Sequence, residues 1–254
     1  MTKKRLVGIG LLFVACLVPV VASAGAATVR VGTLVLHADG GFQPRALPQH
    51  SYAPIRFQGH GDIKTTDGSV PPALRHVKVE FDRDGRLSTA GLPTCKPSRI
   101  ESTTVKQARS RCRGAIVGSG HVRAILAFAA ARLRVRSPLT LFNGPRQDGN
   151  ITVLGHAQTT VPVFQSYVVV APIERRRGTY GYRTSFDVPE IAGGAGALTH
   201  VSARIGRRYD FRGVRRSYVS ARCSDYILQT QGYFSFADGN VIYGSVFKPC
   251  TMRR

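Results

Sequence analysis

Serine, histidine and acidic residues are the side chains of this chain that could perform hydrolytic chemistry. The segment Gly118-Ser119-Gly120-His121 brings a serine near a histidine, but it lacks the Gly-x-Ser-x-Gly pattern of a nucleophile elbow. We interpret the segment as a glycine-flanked turn. The seven histidines are scattered along the chain, and no His-Glu-x-x-His metal-binding helix occurs. These residues therefore predict no catalytic site.

Glu80, Asp82 and Asp84 form an acidic cluster that could supply the two carboxylates of a glycosidase. The stretch from Asp82 to Gly85 has the Asp and Gly residues that a tight turn prefers. As a calcium loop the same stretch supplies only part of the required oxygen ligands. We predict a turn here, and we expect no catalytic residue, no metal site and no cofactor.

The N-terminus has the pattern of a secretory signal peptide. Residues 3–5 are basic, residues 6–21 form an apolar run, and residues 22–24 are the small residues Ala-Ser-Ala. The run is short for a membrane-spanning helix, which needs about 20 apolar residues. We predict a signal peptide over residues 1–24 and a single β-rich domain over residues 25–254. The mature chain, with no predicted membrane span, is expected to be secreted or held at the cell surface.

The cysteines of an exported chain are expected to form disulfide bonds. Cys16 belongs to the signal peptide, and four remain: Cys95, Cys112, Cys223 and Cys250. The absence of Cys-x-x-Cys and of neighbouring histidines argues against zinc. Three pairings of four cysteines are possible. We favour the two local ones, Cys95–Cys112 and Cys223–Cys250.

The elements that must position these residues are mostly strands. Residues 76–81 alternate apolar and polar side chains, which predicts a strand with one buried face. An Asp-Gly turn at residues 237–240 between two apolar runs predicts a hairpin. We predict a turn at Asp39-Gly40-Gly41. Further strands are predicted over residues 28–36, 53–64, 121–136, 151–158, 167–171, 182–188, 201–205, 207–211, 217–223, 227–236 and 241–247.

One short helix is predicted between Cys95 and Cys112. Thr104 can cap its N-terminus, and Gln107 three residues later completes a capping box. About a dozen short strands with one helix indicate an all-β fold. We predict a β-sandwich, either jelly-roll-like or barrel-like.

Positive charge is the most pronounced feature of the composition. Lysine and arginine number 36 against 14 acidic residues, giving a net charge of +22. Two windows, residues 102–147 and 211–224, contain no acidic residue. An anionic envelope polymer or an anionic lipid surface would suit such a chain. The candidate polyanion-binding residues are Arg132, Arg134, Arg136, Arg204, Arg207, Arg208, Arg215 and Arg216.

Composition offers a second explanation for the positive charge. The basic residues comprise 29 arginines and 7 lysines, a bias that a GC-rich genome produces without selection for binding. Nucleic acid is not an expected ligand, because the chain is exported and has no aromatic motif of the RNA-binding type.

Four segments resemble a known family: residues 91–95, residues 137–144, residues 220–223, and the C-terminal stretch from residue 234 to Cys250. They are similar to an uncharacterised family of exported actinobacterial proteins, over roughly residues 50–251. The resemblance implies export, a Gram-positive envelope setting and the positions of the cysteines. It implies no activity.

The sequence leaves three functional hypotheses. The first is an exported, non-enzymatic β-sandwich that acts at the cell envelope and adheres to polyanions. The second is a carrier whose sheet closes around an apolar cavity and holds a small apolar ligand. The third is a secreted hydrolase with an unrecognised site.

Overall fold

The structure is a computed structural model, and it describes residues 25–128 and 131–253. The predicted signal peptide lies outside the described residues, as do Ala129, Ala130 and Arg254. The described part of the chain contains no helix with the length and apolar character needed to cross a membrane.

Nineteen strands and one α-helix account for most of the described chain. The α-helix, α1, spans Val105–Arg111, and short 3-10 helices span Pro97–Arg99, Arg113–Ala115 and Ala192–Gly194. The strands are β1 (Ala27–Val31), β2 (Leu34–Gln43), β3 (Ala46–Pro48), β4 (Ala53–Pro54), β5 (Arg56–Thr65), β6 (Leu74–Asp82), β7 (Gly85–Leu87), β8 (Ile116–Phe128), β9 (Ala131–Gln147), β10 (Asn150–Thr159), β11 (Gln165–Arg175), β12 (Tyr180–Asp187), β13 (Gly196–Ile205), β14 (Arg208–Phe211), β15 (Val214–Ser217), β16 (Val219–Ala221), β17 (Ile227–Phe236), β18 (Val241–Pro249) and β19 (Thr251–Arg253).

A twelve-stranded antiparallel sheet forms the body of the molecule, in the order β1-β2-β5-β13-β8-β9-β10-β11-β12-β6-β17-β18. Its two edge strands approach each other, because a Cβ on Gly244 of β18 would lie 3.4 Å from side-chain atoms of Ala27 and Val29 of β1. Lys248 of β18 also forms an ion pair of 2.6 Å with Asp39 of β2. The sheet is therefore nearly closed on itself. The all-β prediction is confirmed, in its barrel-like form.

Small sheets and loops cover one end of the closed sheet. They are β4-β16-β7, the β14-β15 hairpin and the parallel pair β3-β19. Apolar side chains of β3, β4, β16 and β19 form a cluster with Phe42 and Ile55, which includes the Cys223–Cys250 disulfide. Tyr209 and Phe211 of β14 pack in a separate cluster. Leu34, Leu36, Ile63 and their neighbours pack together at the opposite end.

The segment between residues 95 and 115 covers the outer face of β9 and β10. Helix α1 begins exactly as predicted for a capping box, since Thr104 Oγ1 accepts from the Gln107 backbone and the Gln107 side chain accepts from the Thr104 backbone. The Cys95–Cys112 disulfide ties this segment together. Both disulfides are the local pairs that the sequence favoured.

Two turn predictions are wrong because glycine has a different role there. Residues 39–41 continue β2, and the chain turns earlier, at Gly32, whose φ is +57°. Residues 118–121 lie inside β8. A Cβ on Gly120 would lie 1.8 Å from the carbonyl oxygen of Ser202 on β13, so only glycine allows the two strands to approach this closely.

The single strand predicted over residues 121–136 is two strands. Strands β8 and β9 run antiparallel, with Arg123 opposite Arg136 and Phe128 opposite Ala131. Both halves alternate in the same way, so the period-two pattern does not mark the reversal between them.

Candidate ligand cavity

The inner face of the closed sheet carries small and apolar residues. Every second residue of β5 faces the interior: Phe57, Gly59, Gly61 and Ile63. The intervening residues, such as the exposed Gln58, face outward. This alternation follows from the pleat of a strand, which sends successive side chains to opposite faces.

Several inward positions hold the smallest residues, and these meet across neighbouring strands. Gly59 lies opposite Gly40 on β2 and opposite Ala203 on β13, and Gly61 lies opposite Ala38. On the other wall, Gly155 of β10 also faces inward. With little side-chain volume at these positions, the interior contains a cavity of about 560 Å³.

Two of the hydroxyl groups in the lining have no hydrogen-bond partner within the described part of the chain. Thr184 and Tyr218 line the cavity, and their side-chain oxygens are buried without a hydrogen-bond partner among the described residues. Burial raises the pKa of the Tyr218 phenol far above its ordinary value, so it stays neutral. These groups can donate or accept a hydrogen bond.

The wall of the cavity is interrupted between β9 and β10. The two strands pair only as far as Thr140 opposite His156. Beyond that point β9 pairs with β8 and β10 pairs with β11. The Ser137 hydroxyl accepts a hydrogen bond of 2.9 Å from the Gln158 backbone and bridges the separating strands. We call this place the wall split. Val135, Ser137, Thr159 and Tyr167 line the cavity beside it.

The acidic cluster has a structural role. The turn predicted at residues 82–85 is confirmed, with β6 ending at Asp82 and β7 beginning at Gly85. Asp82 accepts from the backbone of Asp84 and Gln229. Asp84 is bound by Arg222 at 2.8 Å and by the Ser224 backbone at 2.7 Å.

The pKa values of the two carboxyl groups are shifted in opposite directions. Burial raises the pKa of Asp82, and its backbone hydrogen bonds only partly offset this. Burial also acts to raise the pKa of Asp84, but hydrogen bonds from Ser224 and Arg222 outweigh it and the pKa is lowered. Because both carboxylates already accept hydrogen bonds from the protein, they serve to fix the turn.

Three histidines form a row on the outside of the sheet. The ring of His60 lies 6.0 Å from that of His37 and 6.4 Å from that of His200, centroid to centroid. His200 Nδ1 contacts Asp62 at 2.7 Å. Within residues 25–128 and 131–253, no group of three or more His, Cys, Asp or Glu side chains is placed to hold a metal ion.

Four of the arginines that the sequence singled out lie on the outer face of neighbouring strands. Arg132, Arg134 and Arg136 are exposed at alternate positions of β9. Arg123 of β8 lies directly opposite Arg136. Arg204 is exposed on the next strand, β13. The alternation of β9 therefore brings its three arginines to one face of the strand.

The remaining candidate arginines are held within the β14-β15 region. Arg207 donates to a backbone carbonyl at 2.8 Å. Arg215 forms an exposed ion pair with Asp210, and Arg216 packs over an aromatic ring. Arg208 is exposed. The eight candidates thus lie in two parts of the fold, four on β9 and β13 and four in or beside the β14-β15 hairpin.

The functional feature that the sequence interpretation did not locate is the cavity itself. Its signal is the repeated placement of Gly and Ala at inward positions, as in Gly59 and Gly61. This signal is recognisable only when the strand pairing is known, because it requires small residues to face each other across strands.

The fold and the cavity define an all-β protein with a nearly closed sheet around an apolar interior. No family model matches the chain, and no solved structure matches it. Among curated proteins, it is similar to the receptor-type tyrosine-protein phosphatase S of Gallus gallus, with 26% identity over 159 residues. The match covers 60% of this chain and 10% of the phosphatase, so the chain spans about a tenth of that protein's length. This similarity does not establish a family.

Proposed function

We propose that this protein is an exported carrier that holds a small, mainly apolar ligand inside its closed sheet. The observation that supports this proposal is the apolar cavity of about 560 Å³ enclosed by the twelve-stranded sheet. Ligand sites typically have volumes of roughly 300–1,000 Å³ and mostly apolar linings. The two disulfides are compatible with an exported protein.

The lining also favours a ligand with one polar group. Burying a hydroxyl without a hydrogen-bond partner costs about 1–3 kcal/mol. A ligand carbonyl or hydroxyl that reached Thr184 or Tyr218 would recover that cost. The proposed ligand is therefore an apolar molecule with a hydrogen-bonding group, rather than a sugar or a peptide.

Binding of an uncharged fluorophore tests the carrier proposal. N-phenyl-1-naphthylamine is suitable because it fluoresces in apolar surroundings and has no anionic group that the arginine-rich surface would attract. The wild-type protein should bind it at one saturable site. Gly61→Leu should weaken dye binding about tenfold, because the new side chain occupies volume that the dye needs. Fitting both into the cavity overpacks it, at a cost of about 1–3 kcal/mol.

Gln58→Leu is the matched control, because residue 58 lies on the same strand but faces solvent. It should leave dye affinity unchanged. Absence of saturable dye binding to the folded wild-type protein would refute the proposal. Equal losses in the two variants would place the dye outside the cavity.

Adhesion to an anionic envelope polymer is a second candidate function. The observation that favours it is the shared outer face of Arg123, Arg132, Arg134 and Arg136. Exposed basic groups on one face raise the local potential and favour polyanion binding.

Retention on an anionic matrix distinguishes a patch from general composition. Replacing residues 132, 134 and 136 with glutamine should lower the eluting salt concentration more than replacing Arg175, Arg176 and Arg177, which are also exposed. Because both variants lose the same charge, equal elution would attribute retention to composition alone.

A further inference from the structure

An exposed apolar loop lies next to the wall split. The loop spans residues 160–164 and joins β10 to β11. Three of its large apolar side chains are exposed: Val161 by 47%, Val163 by 62% and Phe164 by 45%. Such side chains are normally scattered singly on a protein surface, and a group of them marks an interaction site.

Basic residues flank the base of this loop on both sides. On one side, the hydrogen bond between Gln158 and Ser137 places the exposed Arg134 and Arg136 of β9 next to it. On the other side, the Val105 backbone donates to the Gln158 side chain at 2.5 Å. This contact brings the first turn of α1, with its exposed Lys106, to the same place.

The basic groups around the loop have no acidic neighbour within their own stretch of sequence. All of them come from the window 102–147, which has no acidic residue. The segment after β12 approaches the wall split, because the Ala192 backbone donates to the Tyr167 hydroxyl at 3.2 Å. This segment contains Glu190. Glu190 is paired with Arg75.

We propose that residues 160–164, together with Arg134, Arg136 and Lys106, form a docking surface for an anionic lipid bilayer. The apolar side chains enter the headgroup region, and the basic side chains contact the lipid phosphates. This proposal rests on the carrier function, since it places the wall split against the lipid, where an apolar ligand can exchange without crossing water.

The exposed apolar side chains favour a bilayer over a hydrophilic polyanion. A polymer such as a teichoic acid offers charge but no apolar phase, so Val163 and Phe164 would stay in contact with water. Transfer of apolar surface out of water is favourable in proportion to its area. Only a lipid surface uses both parts of the docking surface.

Vesicle co-sedimentation tests this proposal. The full-length mature protein is mixed with vesicles of phosphatidylcholine alone or of phosphatidylcholine with about one third phosphatidylglycerol. Binding should require the anionic lipid. Val163→Ser with Phe164→Ser should lower the partition coefficient at least about tenfold, because each side chain contributes through its buried area.

The basic side chains should contribute separately. Arg134→Gln with Arg136→Gln should lower partitioning about 25-fold, at roughly fivefold per arginine. Two controls match these variants. Val163→Ser alone is compared with Val214→Ser, which removes a valine that is 53% exposed next to arginines of β15. Arg176→Gln with Arg177→Gln is the charge control, because it removes two exposed charges beyond the other end of β11. Each control should lower the partition coefficient less than the variant with which it is compared.

Each outcome decides between the alternatives. Equal losses in the variants and their controls would overturn the docking surface. So would binding that depends on the arginines but not on residues 163 and 164, which would indicate a polyanion site. The fluorophore assay without vesicles is independent of these results, so a failed docking surface with intact dye binding leaves the carrier function standing.

Discussion

The two faces of β10 are packed in opposite ways. On the outer face, Leu154 is fully buried against Ile100, Phe142 and the Cys95–Cys112 disulfide. The next residue, Gly155, points to the inner face and borders the cavity. One residue along a single strand therefore separates a close-packed cluster from the cavity. An apolar face fills only when a second layer of structure supplies side chains for it.

This difference assigns separate roles to the two faces of one sheet: the outer face contributes to stability, and the inner face is available for ligand binding. The covering segment of residues 95–115 supplies the second layer outside, and no corresponding element of the described chain enters the interior. Close packing outside should make the fold sensitive to loss of volume. The unfilled interior should tolerate changes in volume, and those changes should alter ligand binding instead.

The largest change in stability is expected at Leu154, which we compare with Leu139 of the neighbouring strand. Leu154→Ala should destabilise the protein by about 3–5 kcal/mol, because a new cavity forms in a packed cluster. Leu139→Ala should cost less than about 2 kcal/mol, since its side chain already borders the cavity and makes fewer contacts. Denaturant unfolding of both variants measures the difference. Similar costs would contradict the contrast between the two faces.

The disulfide of the covering segment should have the next largest effect. Cys95 and Cys112 are 17 residues apart, and a loop of this length predicts a stabilisation of about 3 kcal/mol. Replacing both cysteines with alanine should lower the free energy of unfolding by that amount. The folded variant should still bind the fluorophore with wild-type affinity. A parallel loss of dye binding would mean that the covering segment also shapes the cavity.

Local features of the sequence predicted local features of the fold. Thr104 and Gln107 indicate the start of α1 because a capping box satisfies backbone groups within four residues. The Asp-Gly turn indicates the β17-β18 hairpin, and β17 has the predicted bounds. The short separations within each cysteine pair likewise favour the observed pairing.

Features that depend on strand pairing could not be predicted in this way. Gly40 and Gly120 were interpreted as turn residues, but they lie where another strand approaches closely. The cavity arises because Gly59 meets Gly40 and Ala203 across strands. A single sequence shows each small residue but not its partner, so neither the cavity nor the wall split follows from period-two alternation.

A buried histidine under the covering segment should make the packed face sensitive to pH. Burial lowers the pKa of His156, although hydrogen bonds at Thr103 and Ile100 act in the other direction. The unfolded chain therefore binds a proton more readily, and stability falls as the pH drops below about 6.5. The slope due to this residue is at most about 1.4 kcal/mol per pH unit.

His156→Gln should remove that part of the slope between pH 7 and pH 5. Glutamine keeps a side-chain donor for the Thr103 carbonyl, which lies 3.1 Å from Nε2 in the wild-type protein. Urea unfolding at several pH values measures the slope. An unchanged slope in the variant would show that other groups cause the acid sensitivity.

The smallest expected effect is a gain of stability on the inner face. A Cβ on Gly155 would lie 3.7 Å from atoms of Leu139 and Val169, which is ordinary van der Waals contact, and the backbone there is not left-handed. Gly155→Ala should therefore stabilise the protein by about 0.4–1 kcal/mol, because alanine reduces the conformational entropy of the unfolded chain.

Gly120→Ala provides the opposite case on the same sheet. Its Cβ would lie 1.8 Å from the Ser202 carbonyl oxygen, so β8 and β13 would have to move apart. We expect a clear loss of stability there, measured by the same thermal or denaturant unfolding. If both alanine variants were destabilised alike, the inner face around Gly155 would have no free volume. The contrast between a packed outer face and an open interior would then not hold at Gly155.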